Sequence, residues 1–148
     1  MSHPLILYDG VCGLCNRMVK FILKRDRDAI FQFASLQSLF ANNILAREHA
    51  DVAALDTFYI VLNYDPIEHS ANNLQPAELL LSRSDAVLFV IEQLGGIWRP
   101  IALIMRLFPH TIRDWAYCLV ARHRYRIFGR YDACPLPTEA TRSRFLDL

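Results

Sequence analysis

The chain opens on an uninterrupted apolar run, Pro4-Leu5-Ile6-Leu7-Tyr8, closed by Asp9-Gly10. So short a run without alternation predicts a strand buried on both faces, and Asp-Gly predicts the turn that ends it. From Leu14 the period changes: Cys15, Met18, Val19, Ile22 and Leu23 recur at helical spacing, with Asn16, Arg17, Lys20 and Lys24 on the opposite side. Ala29 to Ala34 then predicts a second strand, and Leu36 to Arg47 a helix opened by Ser35. Asp51 to Asp56 is a connector, Thr57 to Leu62 a β-branched and aromatic central strand, Tyr64 to Pro76 a long turn, and Ala77 to Arg83 a short returning strand. Ser84 is placed to cap the next helix, Asp85 suits its positive end, Ala86 to Leu94 form its body, and Gly95-Gly96 stop it.

The resulting order, β-α-β-α-β-β-α, is that of a thioredoxin-like α/β unit, a βαβ half joined through a helix to a β-hairpin and a closing helix. The remaining residues predict a C-terminal helical extension. Pro100 suits the first turn of a helix reaching about Phe108, Pro109 interrupts it, and Thr111 can cap a longer helix that runs to Phe128 before Gly129. Ile112, Trp115, Ala116, Leu119 and Ile127 line one face of that helix, with Cys118 on its flank and His123 near its end. This face is expected to pack inward, with Trp98 and Trp115 as packing aromatics and Cys118 as a buried small hydrophobe.

With 148 residues and 53% hydrophobic content the chain supports one domain. Residues 1–98 are expected to form the core and residues 99–148 an extension packed on it. Charge is uneven: residues 1–98 hold 7 Lys/Arg against 11 Asp/Glu, a net −4, and residues 99–148 hold 9 Arg against 4 Asp/Glu, a net +5. The simplest expectation is that the arginines pair with the acidic front or face water, in preference to a nucleic-acid or anionic-lipid patch. The most apolar later stretch, Ile97 to Phe108, is broken by Arg99, Pro100 and Arg106, so no membrane span is expected. The start lacks the pattern of a secretory signal, and the reading is of a cytoplasmic protein.

The chemistry is carried by Cys12-Gly13-Leu14-Cys15. Two thiols one helical turn apart can close a disulfide ring, and Cys12 falls at a helix N-terminus, where unpaired N–H groups and the helix dipole lower a thiol pKa from about 8.5 into the range of roughly 3.5–7.5. Cys12 is therefore the candidate nucleophile and Cys15 the resolving thiol. Asp9, three residues before Cys12, has two readings. It can take the proton of Cys15 while opposing the Cys12 thiolate, or it can serve as a turn residue accepting backbone N–H bonds. The competing reading of the pair is half of a zinc site, but no second Cys-x-x-Cys exists, and Cys118, Cys134 and the five histidines show no ligand spacing. Cys134, within Cys134-Pro135-Leu136-Pro137, can return to the site as a third thiol or pack beneath the tail.

These segments together resemble the DCC thiol-disulfide oxidoreductases, named for an Asp-x-x-Cys-x-x-Cys signature. The resemblance rests on Tyr8-Asp9-Gly10-Val11-Cys12-Gly13-Leu14-Cys15-Asn16, Phe33-Ala34-Ser35-Leu36-Gln37-Ser38, Ser84-Asp85-Ala86, Leu94-Gly95-Gly96, Tyr125-Arg126-Ile127-Phe128-Gly129 and Cys134-Pro135-Leu136-Pro137, in that order. It implies a thioredoxin-like fold and thiol-disulfide exchange through Cys12 and Cys15 but supplies no substrate; the reading of the residues is exchange with a protein or small thiol that requires no cofactor. Thioredoxins carry a cis-proline before the third strand, whereas Ala54 to Phe58 contains none, so Asp56 or Thr57 is expected to face the site. The alternatives are a redox-sensing or protein-interaction module and, behind it, a metal-binding domain.

Overall fold

A computed structural model describes residues 3–47, 58–64, 80–130 and 138–147. Four strands form one mixed sheet in the order β2-β1-β3-β4. β1 (His3–Tyr8) is central, parallel to β2 (Gln32–Ser35) and antiparallel to β3 (Tyr59–Tyr64), and β4 (Leu80–Ser82) returns antiparallel on β3. The run of β1 is continuously apolar because both its faces are covered. Ile6 and Tyr8 face a cluster built with Cys15, Val19 and Ile22 of α1 (Gly13–Arg25) and Ala86 and Val90 of α3 (Arg83–Gln93). Leu5 and Leu7 face Ala41, Ile44 and Leu45 of α2 (Leu39–Arg47). This is the thioredoxin-like α/β arrangement that the element order anticipated, followed by α4 (Trp98–Arg106), α5 (His110–Phe128) and α6 (Glu139–Arg142).

Several boundaries move for local reasons. The second strand begins at Gln32, not Ala29, because the Asp26 carboxylate accepts the N–H groups of Ile30 and Phe31 and ties that stretch into a loop at the end of α1. Ser35 stays in β2, and Ser38 caps α2 by accepting the Ala41 N–H at 3.1 Å. Ser84 lies within the first turn of α3 instead of capping it, buried and donating to Asp114 at 2.5 Å. Gly95 and Gly96, both at positive φ, do stop α3. The tail lies along the outer side of β2, where Phe33 N–H donates to Arg144 O, Leu146 N–H to Phe33 O and Ser35 N–H to Asp147, so an otherwise open edge is covered. The expected connector, the long turn and the start of the returning strand lie outside the described residues.

The largest departure is the orientation of α5, which packs against α1 and α3 with its polar side inward. Arg124 is buried, and Tyr117 and Asp114 reach the core side, whereas Ile112, Trp115, Leu119 and Ile127 face solvent, with Trp115 66% exposed. Cys118 is likewise exposed, not buried. The reason is electrostatic. The cleft α5 fills already holds polar groups, the Asp9 carboxylate, the Ser84 hydroxyl and the Phe58 N–H, each of which would be costly to bury unpaired. Arg124, Asp114 and the Tyr117 hydroxyl satisfy them in turn. Trp98 does pack, edge-on to Phe21 with ring centroids 5.0 Å apart. The uneven charge resolves partly as expected, through Arg124–Asp9, Arg144–Asp26, Arg113–Asp85 and Arg106–Glu92 pairs.

Candidate active site

The turn after β1 sets the site. Val11 N–H donates to Asp9 Oδ1 and Cys12 N–H to Asp9 O, which folds the chain back so that Cys12 is the residue preceding α1, in extended backbone. No side chain caps α1, leaving the N–H groups of Leu14 and Cys15 in its first turn to the Cys12 sulfur. Asn16, expected on the solvent side, is buried and donates to both Gly10 O and Cys12 O, so it locks the turn to the helix.

Cys12 and Cys15 are both free thiols in this structure and both buried, Cys12 completely. The Cys12 pKa is lowered to about 6. The hydrogen bond from the Cys15 thiol is the main cause, burial opposes it, and the Cys15 and Leu14 N–H groups and the Arg124 charge assist. Cys15 moves the other way, held well above the ordinary thiol range by its hydrogen bond to Cys12, by burial and by repulsion from the Cys12 charge. The two thiols thus divide into an acidic partner, Cys12, and a proton-retaining one, Cys15.

Asp9 is buried and fully engaged. Its Oδ1 accepts Gln37 Nε2 at 2.7 Å, and its Oδ2 accepts Arg124 at 3.0 Å and the Tyr125 hydroxyl. Arg124 also reaches Cys15 Sγ at 3.9 Å. Burial pulls the Arg124 pKa down, but Cys15, Tyr125, Cys12 and Asp9 outweigh it and hold the guanidinium above its ordinary value. The carboxylate and the dithiol are therefore linked through one buried cation. Burial together with the bond to Asp9 raises the Tyr125 phenol to about 12, and burial raises Tyr117 to about 12 as it accepts the Phe58 N–H at 2.8 Å.

A second contact closes the site from above. The end of α5 crosses the start of α1: Gly13 N–H donates to Gly129 O at 3.1 Å, and Cys12 pairs with Arg130 in a short antiparallel bridge. A Cβ on Gly13 would collide with Phe128 O, so only glycine permits this crossing. The glycine between the cysteines is a packing requirement of a helix far along the chain.

Of the residues singled out from sequence, Cys12, Cys15 and Asp9 are brought together, while Asp56, Thr57 and Cys134 lie outside the described residues. Gln37, Asn16, Tyr117, Arg124 and Tyr125 were not identified. The signal for Arg124 was a carboxylate expected beside an acidic thiol, which once buried demands a cation; nothing in the sequence pointed to the others. Among the described residues no three His, Cys, Asp or Glu side chains gather as a metal site, and no helix is long and apolar enough to cross a membrane.

A mixed sheet carrying a Cys-x-x-Cys at the junction of its first strand and first helix defines a thioredoxin-like dithiol protein. Residues 6–130 match the DCC1-like thiol-disulfide oxidoreductase family, and the chain belongs to it. It is 32% identical over 146 residues to the uncharacterized protein YuxK of Bacillus subtilis, covering 99% of this chain and 96% of that one. It is 33% identical over 135 residues to the DCC family protein At1g52590, chloroplastic, of Arabidopsis thaliana, covering 91% of this chain and 70% of that one. No solved structure gives a significant match.

Proposed function

We propose that the protein is a thiol-disulfide oxidoreductase in which Cys12 is the nucleophile and Cys15 the resolving thiol. The observation that carries this reading is geometric: Cys12 precedes α1 with Cys15 one turn on and the buried Arg124 guanidinium 3.9 Å from Cys15 Sγ, and the hydrogen bond between the thiols that lowers the Cys12 pKa to about 6 holds that of Cys15 up. The Cys12 thiolate attacks one sulfur of a substrate disulfide, forming a mixed disulfide and releasing the other sulfur as a thiolate. Cys15 then gives up its proton and attacks Cys12 Sγ. The substrate leaves as a second thiolate, the Cys12–Cys15 disulfide remains, and two electrons have passed to the substrate. Once Cys12 is bonded to substrate its charge is gone, so the main force holding the Cys15 proton is removed and Arg124 stabilises the emerging Cys15 thiolate. Asp9 is a positioning residue in this scheme, fixing Arg124 and Tyr125. No cofactor takes part, the substrate is a protein or small-molecule disulfide, and the reducing cytoplasm is the compartment such chemistry suits.

Residues 1–98 supply the sheet and the dithiol, and residues 99–148 supply the cation that completes the site. Cys12 is completely buried and bridged to Arg130, so substrate access requires the chain around it to open, with the Gly129–Arg130 crossing as the candidate gate. The same burial favours, as a second reading, a redox-sensing module that oxidises without turnover. Reduced protein incubated with glutathione disulfide and a regenerating reductant separates the two. Continuous consumption of disulfide, abolished by Cys12→Ser, and a mixed disulfide trapped by Cys15→Ser support the enzyme. A single stoichiometric oxidation with no further consumption supports the module, and no oxidation of the pair at all rejects both.

A further inference from the structure

Of the large apolar side chains exposed among the described residues, all but Leu39 fall between Ile97 and Ile127. They form the outer faces of α4 and α5. Ile104, with Ile97 and Leu107 at the two caps, leads the first, and Ile112, Trp115 and Leu119 the second, with Leu107 83% exposed. Exposed apolar side chains concentrated on two consecutive helices exceed what soluble monomers scatter over their surfaces and mark a docking site. The inward side of α5 is occupied with buried polar groups, so this outer face cannot turn inward without orphaning Asp9 and Ser84.

Charge identifies the occupant. Residues 98–128 carry six arginines against a single aspartate, a net +5. That aspartate, Asp114, is turned inward onto Ser84. Arg106 and Arg113 are paired with Glu92 and Asp85, and Arg124 with Asp9. Arg99, Arg122 and Arg126 are exposed and form no ion pair among the described residues. We propose that the exposed faces of α4 and α5 are a peripheral membrane-binding surface, lying in the interface of a bilayer rich in anionic lipid with their apolar side chains and Trp115 among the acyl chains and Arg99, Arg122 and Arg126 on the headgroups. A second copy of the chain is the poorer occupant, because a two-fold contact meets itself and would set this cationic face against its like without a carboxylate to answer it.

This proposal is independent of the redox reading, since Leu107, Trp115, Arg122 and Arg126 take no part in the site. The test is co-sedimentation of the full-length protein with vesicles of phosphatidylcholine alone and of phosphatidylcholine mixed with phosphatidylglycerol. The expected result is binding to the mixed vesicles, weakened about tenfold or more by salt, with a blue shift of tryptophan emission that Trp115→Phe removes. Leu107→Glu and the double change Arg122→Glu with Arg126→Glu should each abolish binding while leaving the circular dichroism unchanged. Absence of binding to mixed vesicles, or equal binding to neutral ones, overturns the proposal. So does a shift undiminished in Trp115→Phe, which places another part of the protein in the bilayer. A dimer in sedimentation that Leu107→Glu dissociates, with no vesicle binding, assigns the face to a second copy.

Discussion

Arg124 donates to Asp9 Oδ2 at 3.0 Å across 115 positions of sequence, and both side chains are buried. This pair joins the C-terminal helices to the turn that carries the dithiol, so stability and thiol chemistry are coupled through it.

Removing one partner should leave the other as an uncompensated buried charge. Arg124→Met is expected to lower the unfolding free energy by about 3–5 kcal/mol, read from urea denaturation, and to raise the Cys12 pKa because a cation that favours its thiolate is lost. Asp9→Asn should destabilise comparably but move the Cys12 pKa downward, since Arg124 then acts unopposed. The double variant should be more stable than the sum of the two losses predicts. Identical Cys12 titrations in all four proteins would remove Arg124 from the chemistry.

The pH dependence of Cys12 follows from its pKa of about 6. Its alkylation by iodoacetamide, followed by mass spectrometry, should be half-maximal near that pH. Cys15→Ala removes the main cause and should shift the midpoint toward the ordinary thiol value of about 8.5. Linkage has a matching sign. A thiol whose folded pKa lies below its unfolded value contributes stability that is fully present above the unfolded value and is lost as pH falls through about 6. Cys15, shifted upward, does the reverse and costs stability once pH exceeds its unfolded value. Reduced protein should therefore gain melting temperature over Cys12→Ser between these two pH values, and a flat difference would contradict the assignment.

Gly13→Ala tests the crossing above the dithiol. The new methyl must displace Phe128 O, so overpacking of about 1–3 kcal/mol is expected, with loss of the Gly13–Gly129 hydrogen bond. If that crossing restricts access to Cys12, the same change should accelerate Cys12 alkylation at a pH where the thiolate is fully formed. Slower or unchanged alkylation in a destabilised protein would show that the crossing is structural only.

The metal-binding alternative also has a direct test. A guanidinium 3.9 Å from Cys15 Sγ opposes a divalent cation on the same sulfur. Protein purified under reducing conditions should carry no stoichiometric zinc by elemental analysis, and a chelator should leave its melting temperature unchanged. Bound zinc that survives dialysis and disappears in Cys12→Ser would reverse the ranking of the two readings.

What the sequence determined by itself was local. A short apolar run closed by Asp-Gly pointed to a strand covered on both sides, a thiol just after a turn and just before a helical period to a helix start, and Gly95-Gly96 to the end of α3. These follow from backbone geometry and near-neighbour spacing. Helical periodicity likewise located α4 and α5 and showed that each has an apolar side, but it carries no information about which side faces the core. That choice was made by the tertiary structure. Asp9, Ser84 and the Phe58 N–H are buried by the packing of the sheet with α1 and α3, and leaving them unpaired costs more than exposing a row of apolar side chains. The polar side of α5 therefore turned inward, bringing Arg124, Tyr125 and Tyr117 to the dithiol and leaving Trp115 in solvent. Gln37 and Tyr125 lay within recognisable segments of the sequence, yet only the fold, by gathering those segments around one buried carboxylate, disclosed what they hold.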